Sequence, residues 1–229
     1  MLNVSDYHVA YGQSEVLRGL NFAIRPNEIV AIMGRNGMGK TTLMKSLIGM
    51  VPTKAGKATL DDLDITHLSS HERVAGGVGF VPQGRMIFST MTVQENIETG
   101  LTSTGEKKVP QDLYELFPVL EEMRQRRGGN LSGGQQQQLA IARALASKPK
   151  MLLLDEPTEG IQPSIIREMA RTLKKIRDTR GLSIVVSEQV LSFALDIADR
   201  VLVLEKGEIV HEEDRDTLDE AKVSSYLSV

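Results

Sequence analysis

The chain has 229 residues, enough for one domain with an insertion or for two closely joined subdomains. A formal net charge of −3 argues against a polyanion-binding surface, and the absence of cysteine excludes disulfides and thiol chemistry. No apolar run approaches the roughly 20 residues of a membrane span, and Met1 to Asp6 lacks the charged-then-apolar layout of a secretion signal.

From Leu2 to Arg25 the sequence reads as strands and turns, Tyr11-Gly12-Gln13-Ser14 being the clearest turn, which predicts an antiparallel β layer. Ile29-Val30-Ala31-Ile32-Met33 is a buried strand. Gly34-Arg35-Asn36-Gly37-Met38-Gly39-Lys40-Thr41 follows it, fits G-x-x-x-x-G-K-[ST], and opens a helical stretch from Thr41 to Gly49. Glycines at 34, 37 and 39 admit dihedrals and close approaches that a Cβ blocks, so successive N–H groups can turn inward around phosphate oxygens. Lys40 adds a point charge and the helix N-terminus its dipole. Thr41 is placed to offer its hydroxyl to Mg²⁺, a hard cation that takes oxygen ligands. Arg35, Asn36, Met38 and Thr42 belong to the same cradle. A plain Gly-rich turn is the alternative, but strand, loop, lysine, hydroxyl and helix all agree on a phosphate loop.

Val78 to Val81 is the next strand, and from about Met91 to Ala146 no strand is evident. Helical segments run over Val93 to Leu101, Gln111 to Gln125 and Ser132 to Ser147, with a polar loop at Thr102 to Lys108. This predicts a single domain over 1–229, with a core and β layer over 1–90 and 148–229 and a helical subdomain inserted at 91–147. Met151 to Leu154, Ser183 to Val186 and Val201 to Leu204 are further short apolar strands, and Ser164 to Thr179 reads as a crossover helix. The class is α/β with a mainly parallel core sheet. No internal repeat is present, and the run Gln135 to Gln138 is too short to count as low complexity.

The apolar run from Met151 to Leu154 delivers Asp155 and Glu156 to the end of a buried strand, where a parallel sheet binds ligands. Asp155 suits the Mg²⁺ shell, directly or through water. Glu156 suits the base that orients and deprotonates an attacking water. Two surface carboxylates at a strand end are the plain alternative, and the preceding phosphate loop speaks against it.

With Leu131-Ser132-Gly133-Gly134-Gln135 added, the chain resembles, nearly end to end, the nucleotide-binding subunits of ATP-binding-cassette (ABC) transporters. That segment matches the family signature. The resemblance implies an ABC-type ATPase whose cofactors are ATP and Mg²⁺. It also implies a head-to-tail dimer, in which the signature of one subunit faces the γ-phosphate held by the other. Ser132, the glycine N–H groups, Gln135 and the helix start would form this second anion site, and Ser132 also reads as a helix N-cap. Tyr11 matches the aromatic that stacks on adenine, a turn tyrosine covering the core being the plain alternative. Gln83, in Val81-Pro82-Gln83-Gly84, matches the glutamine that touches Mg²⁺ or water and links the core to the helical subdomain. The alternative there is an ordinary loop amide. Arg124, Arg126 and Arg127 read as a solvated helix end rather than an anion patch.

Two positions depart from the common family pattern. Gln189 stands where a histidine usually contacts the γ-phosphate, and Gln162 stands where an aspartate is common. An amide donates a hydrogen bond but takes no charge and relays no proton, so altered proton chemistry is expected. None of His8, His67, His71 or His211 is placed to substitute. Both departures resemble the branch that serves branched-chain amino acid, urea and amide importers, and the wording is most similar to an ATPase of bacterial urea importers. The resemblance implies a second ABC ATPase subunit, as a heterodimer in the complex with a homodimer possible in isolation. It also implies two membrane permease subunits docking near Gln83 and Met86 to Phe88. A periplasmic or surface solute-binding protein would act indirectly, and the chain would sit peripherally on the cytoplasmic face of the membrane. With Val229 ending the sequence soon after Leu204, an extra regulatory domain is not expected. An exporter ATPase, such as one extracting lipopolysaccharide, shares every catalytic motif. A soluble ABC protein acting on nucleic acid or ribosomes is disfavoured, because no second cassette, long coiled coil or basic extension is present.

Overall fold

Two sheets and the helices between them are described over residues 1–227 in the computed structural model. The chain opens with a hairpin of β1 (Leu2–Tyr11) and β2 (Ser14–Ile24), closed by a two-residue turn in which Tyr11 pairs with Ser14. β3 (Ile29–Met33) then leads through the glycine loop into α1 (Lys40–Leu47). β4 (Thr53–Leu60) returns to pair with β1, and the short β5 (Leu63–Asp64) completes an antiparallel sheet in the order β2-β1-β4-β5. This is the expected N-terminal β layer.

After α2 (Ser70–Gly76) and β6 (Val78–Val81) come four helices: α3 (Val93–Thr99), α4 (Gln111–Leu116), α5 (Pro118–Glu122) and α6 (Gly133–Ala146). The remainder runs β7 (Met151–Asp155), α7 (Pro163–Arg180), β8 (Ser183–Glu188), α8 (Leu191–Ile197), β9 (Arg200–Glu205), β10 (Glu208–Asp214) and α9 (Glu220–Leu227). The second sheet has the order β10-β9-β3-β8-β7-β6, parallel throughout except for the edge strand β10, which folds back on β9 as a hairpin.

Parallel strands covered on both faces need apolar side chains at every position, and β3 and β7 are buried along their whole length. In β7, Leu153 faces the core shared with the antiparallel sheet and α1, beside Leu17, Leu43 and Leu47. Its neighbours Leu152 and Leu154 face the opposite side, beside Leu139 of α6 and Ile176 of α7. That second cluster also takes in Val93 and Ile97 of α3, so the helices between β6 and β7 share a core with the sheet.

The expected helix from Gln111 to Gln125 is two short helices instead. Phe117, at φ −133° and ψ 72°, breaks it immediately before Pro118. The proline ring disfavours helical dihedrals at the preceding residue, and this outweighs the apolar periodicity. The helix expected from Val93 to Leu101 gives way to a 3₁₀ turn at Gly100–Ser103. The other expected helices and strands fall within two residues of their sequence bounds.

Arg73 of α2 is 1% exposed and ties the layers together. Its guanidinium donates to the carbonyls of Ser46 and Leu47 at the C-terminus of α1, and to those of Thr66 and Leu68. The unpaired carbonyls at a helix end need donors, and a buried arginine supplies several from one side chain.

Candidate active site

Three strand ends build the site: those of β3, β7 and β8, adjacent in the parallel sheet. β3 ends at Met33 and the chain turns through residues 34–39. At Gly34 a Cβ would lie 2.5 Å from the Leu204 carbonyl oxygen, so only glycine lets the loop leave the sheet here. Gly37 has open space around it but a φ of 81°, a backbone conformation that a side chain rarely adopts. The β9–β10 turn clasps the loop from outside, where Lys206 N donates to the Met38 sulfur and Gly207 N to the Met38 carbonyl.

Lys40, at 4% exposure, begins α1 and folds back over the loop. Its ammonium donates to the carbonyls of Gly34 at 2.7 Å and Arg35 at 3.2 Å, and forms an ion pair with Glu156 Oε1 at 3.2 Å. Thr41 Oγ1 donates to Asp155 Oδ1 at 3.2 Å, and Ser187 Oγ donates to the same oxygen at 2.5 Å. Burial pushes the Asp155 carboxyl above the usual carboxylate range, against the hydrogen bonds from Ser187 and Thr41 that pull it down.

Asp155 Oδ2 is buried and has no partner. An orphan carboxylate oxygen is costly, and here it lies beside a hydroxyl and the phosphate loop. Among the described residues no cluster of three or more His, Cys, Asp and Glu forms an all-protein metal cage. One carboxylate with a free oxygen and one hydroxyl, beside a loop that would bring phosphate oxygens, are instead a donor set that Mg²⁺ accepts, so the residues present fit that ion.

Glu156 has a φ of 45°, held by bonds from its N–H to the Ser187 carbonyl and hydroxyl at 3.0 and 3.2 Å. Gln189 Nε2 donates to Glu156 Oε1 at 3.2 Å, and Gln83 Nε2 donates to Glu156 Oε2 at 3.3 Å and to Glu159 at 3.1 Å. Gln83 and Gln189, far apart in sequence, therefore meet on one carboxylate. A cavity of about 360 Å³ opens over this group, lined by Val16, Asn36, Gly37, Gly39, Lys40, Thr41, Thr42, Gln83 and Glu156. It can take an anionic ligand against the loop, with a carboxylate facing in as base.

Arg35 and Met38 belong to the loop without lining the cavity, and none of the four histidines lines it. Tyr11 is 51% exposed at the tip of the first hairpin, so it does not cover the core. Ser132, Gly133, Gly134 and Gln135 do not line the cavity either. Ser132 is the N-cap of α6, where its N–H donates to Gln135 Oε1 and the Gln135 N–H to its Oγ. The signature thus lies outside the phosphate-loop cavity of its own chain. Arg85 and Arg143 join α6 to the Gln83 loop. Arg85 donates to Gln136 and to the Glu159 carbonyl, while Arg143 donates to the Met86 carbonyl and lies 5.1 Å over the Phe88 ring. Sequence reasoning does not find Ser187, Thr158, Glu188, Arg85 or Arg143. For Ser187 and Glu188 a signal exists, since polar residues that end an apolar strand are expensive to bury without a task.

A family model described as ABC transporter matches residues 17–159. The chain belongs to the ABC transporter family. This ABC chain is 38% identical over 213 residues to the high-affinity branched-chain amino acid transport ATP-binding protein BraG of Pseudomonas aeruginosa, covering 92% of this chain and 91% of that protein. It is 33% identical over 207 residues to the lipopolysaccharide export system ATP-binding protein LptB of Escherichia coli, covering 88% and 85%. Among solved structures, a nucleotide-free ABC cassette superposes with a TM-score of 0.83 at 26% identity, covering 98% of this chain and 95% of that one. A dimeric cassette in a post-hydrolysis state with ADP and Pi gives 0.84 at 26% identity, covering 94% and 99%. The fold is that of an ABC ATPase cassette, and the chain is the ATP-hydrolysing subunit of a transporter. No helix among the described residues is long and apolar enough to cross a membrane.

Proposed function

We propose that this ABC subunit powers an importer of a small polar solute, a branched-chain amino acid, urea or a short amide, by ATP-driven closure against a second ATPase subunit. The observation that carries the hydrolytic half is the placement of Glu156 between Lys40, Gln83 and Gln189 over the phosphate-loop cavity. Lys40 and the N–H groups of 35–41 bind the phosphates, and Tyr11 offers the adenine an exposed ring face. Thr41, Asp155 and Gln83 would hold Mg²⁺, which would supply neutralisation of phosphate charge. Glu156 takes the proton of the attacking water while Gln83 and Gln189 fix its two oxygens. The ion pair between Lys40 and Glu156 has to open as phosphate takes over the ammonium, which frees the carboxylate for water.

The partner's signature completes the site, in agreement with Ser132 to Gln135 lying outside the cavity of their own chain. In the working complex the partner is a different ABC ATPase, and in isolation the chain can pair with itself. Two permease subunits dock in a groove of about 680 Å³ lined in part by Ile48, Val74, Phe80, Met86 and Phe88. Met86 and Phe88 are 67% and 47% exposed there, an apolar surface that a membrane partner would cover.

Import rests on the likeness to BraG, and the likeness to LptB supports export as the second reading. Uptake of labelled leucine and of labelled urea in a strain lacking this chain separates them. Loss of either uptake, restored by the chain but not by Lys40→Ala, is the expected result. Normal uptake of both with altered surface lipopolysaccharide would replace import by export.

A further inference from the structure

We propose that Glu188 is a positioning residue for hydrolysis: its carboxylate locks together the two segments that bring Gln189 and Glu156 to one another. Glu188 is the last residue of β8 and is 2% exposed. Its Oε1 accepts the backbone N–H groups of Gln189 at 2.7 Å and Val190 at 3.1 Å. Its Oε2 accepts the hydroxyl of Thr158, itself 5% exposed, at 2.7 Å. One carboxylate therefore binds the segment that carries Gln189 and the loop that leaves Glu156.

A buried carboxylate at this place carries a desolvation cost that a threonine or serine would not, and charge-assisted bonds to all three donors offset it. What those bonds fix is the distance between Gln189 Nε2 and Glu156 Oε1, now 3.2 Å. The neighbouring Ser187 holds the backbone of Glu156 and the carboxylate of Asp155 in the same way. The last two residues of β8 thus set the geometry of the last residue of β7 and of the loop after it. With no imidazole at position 189, the site depends on an amide whose single bond to Glu156 has a narrow range of useful geometry. Glu188 does not line the phosphate-loop cavity; it acts through Gln189 and the 156–158 loop.

The inference rests on Glu156 being the base and Gln189 its partner. ATP hydrolysis by the full-length chain is compared for wild type, Glu188→Ala, Glu188→Gln, Gln189→Ala and the double variant Glu188→Ala with Gln189→Ala. Glu188→Ala is expected to lower kcat roughly tenfold to a hundredfold with KM for ATP nearly unchanged, as misplacement of a catalytic group does. Glu188→Gln should recover most of the loss, because its carbonyl keeps the two N–H bonds and its amide can donate to the Thr158 hydroxyl. The double variant should be no slower than Gln189→Ala, the signature of two residues acting as one unit. Wild-type kcat in Glu188→Ala, a raised KM in place of a lowered kcat, or a loss that adds in full to that of Gln189→Ala would overturn the proposal. Should Glu188→Ala fail to fold, Thr158→Val removes one of the three bonds. A lowered kcat at unchanged KM then supports the proposal, and wild-type kcat overturns it. Wild-type turnover in both Glu156→Gln and Gln189→Ala would instead remove the underlying reading of the site, and this inference with it.

Discussion

Glu156 occupies a left-handed backbone conformation that residues other than glycine, asparagine and aspartate seldom adopt, and two hydrogen bonds to Ser187 hold it there. The conformation lets the carboxylate leave the end of β7 toward Lys40, Gln83 and Gln189 while Asp155, one residue earlier, stays buried against Thr41 and Ser187. Adjacent carboxylates are thereby sent into different tasks, one facing the cavity and one buried beside Thr41 at the start of α1. Glu156→Gln keeps the size of the side chain and leaves the backbone bonds in place, but its amide cannot accept a proton from water. Turnover should fall by about 10²–10⁴, the usual loss for a general base, while ATP affinity is retained. Parallel measurement of phosphate release and of fluorescent-nucleotide binding checks this; loss of both together would mean that Glu156 holds the site open rather than acting as base.

Elements succeed or fail on whether their polar ends find partners. Arg73 satisfies carbonyls from α1 and from the segment before α2, so Arg73→Ala leaves those of Leu47 and Leu68 without a donor, at about 1–3 kcal/mol each, while Ser46 keeps the Gly49 N–H and Thr66 the Thr53 hydroxyl. A loss of at least about 2 kcal/mol is expected in urea unfolding, and Arg73→Lys should recover little of it, because one ammonium cannot span four carbonyls. The first hairpin has a milder, pH-dependent tie. His8 of β1 bonds to Asp6 and to Glu15 of β2, both at 3.1 Å, and these carboxylates raise its pKa above the ordinary histidine value, Asp6 most strongly. A raised folded pKa means that the protonated form stabilises the fold, fully so in mild acid, and that this contribution fades as pH rises through the folded pKa. The gap in Tm between wild type and His8→Asn should therefore be larger near pH ~5.5 than near pH ~8. A gap independent of pH would mean the pair contributes nothing through charge. The hairpin, the buried strands and α6 were legible because turn residues, unbroken apolar runs and the Ser132 cap are local signals. The break at Phe117 is local too, written in Pro118, but helical periodicity masks it. Arg73 is not legible, since what buries it is a set of groups brought close only by the tertiary fold; Glu188 shows in sequence only as a polar end to an apolar strand, and the Thr158 hydroxyl that it accepts does not show at all. The same holds for the meeting of Gln83 and Gln189 on Glu156: each residue stands out in sequence, and their convergence does not.

At the scale of the whole molecule, the phosphate loop and the segment Ser132 to Gln135 belong to one chain but not to one cavity. In the head-to-tail arrangement proposed above, loop and signature would meet across subunits, and in a two-fold dimer each chain would give its loop to one site and its signature to the other. A similar cassette has been solved as a dimer. This arrangement makes a prediction that a self-contained site does not. Lys40→Ala disables the loop and leaves the signature sound; Ser132→Arg fills the start of α6 and leaves the loop sound. A homodimer of either variant has no intact site, because every site contains one damaged half. A heterodimer of the two has one site with both halves damaged and one with both halves intact. Mixing the purified variants should therefore restore ATP hydrolysis well above that of either alone, rising with the fraction of mixed dimers. If each chain instead completed its own site, mixing would give only the average of the two inactive parents, and the head-to-tail arrangement would have to be abandoned.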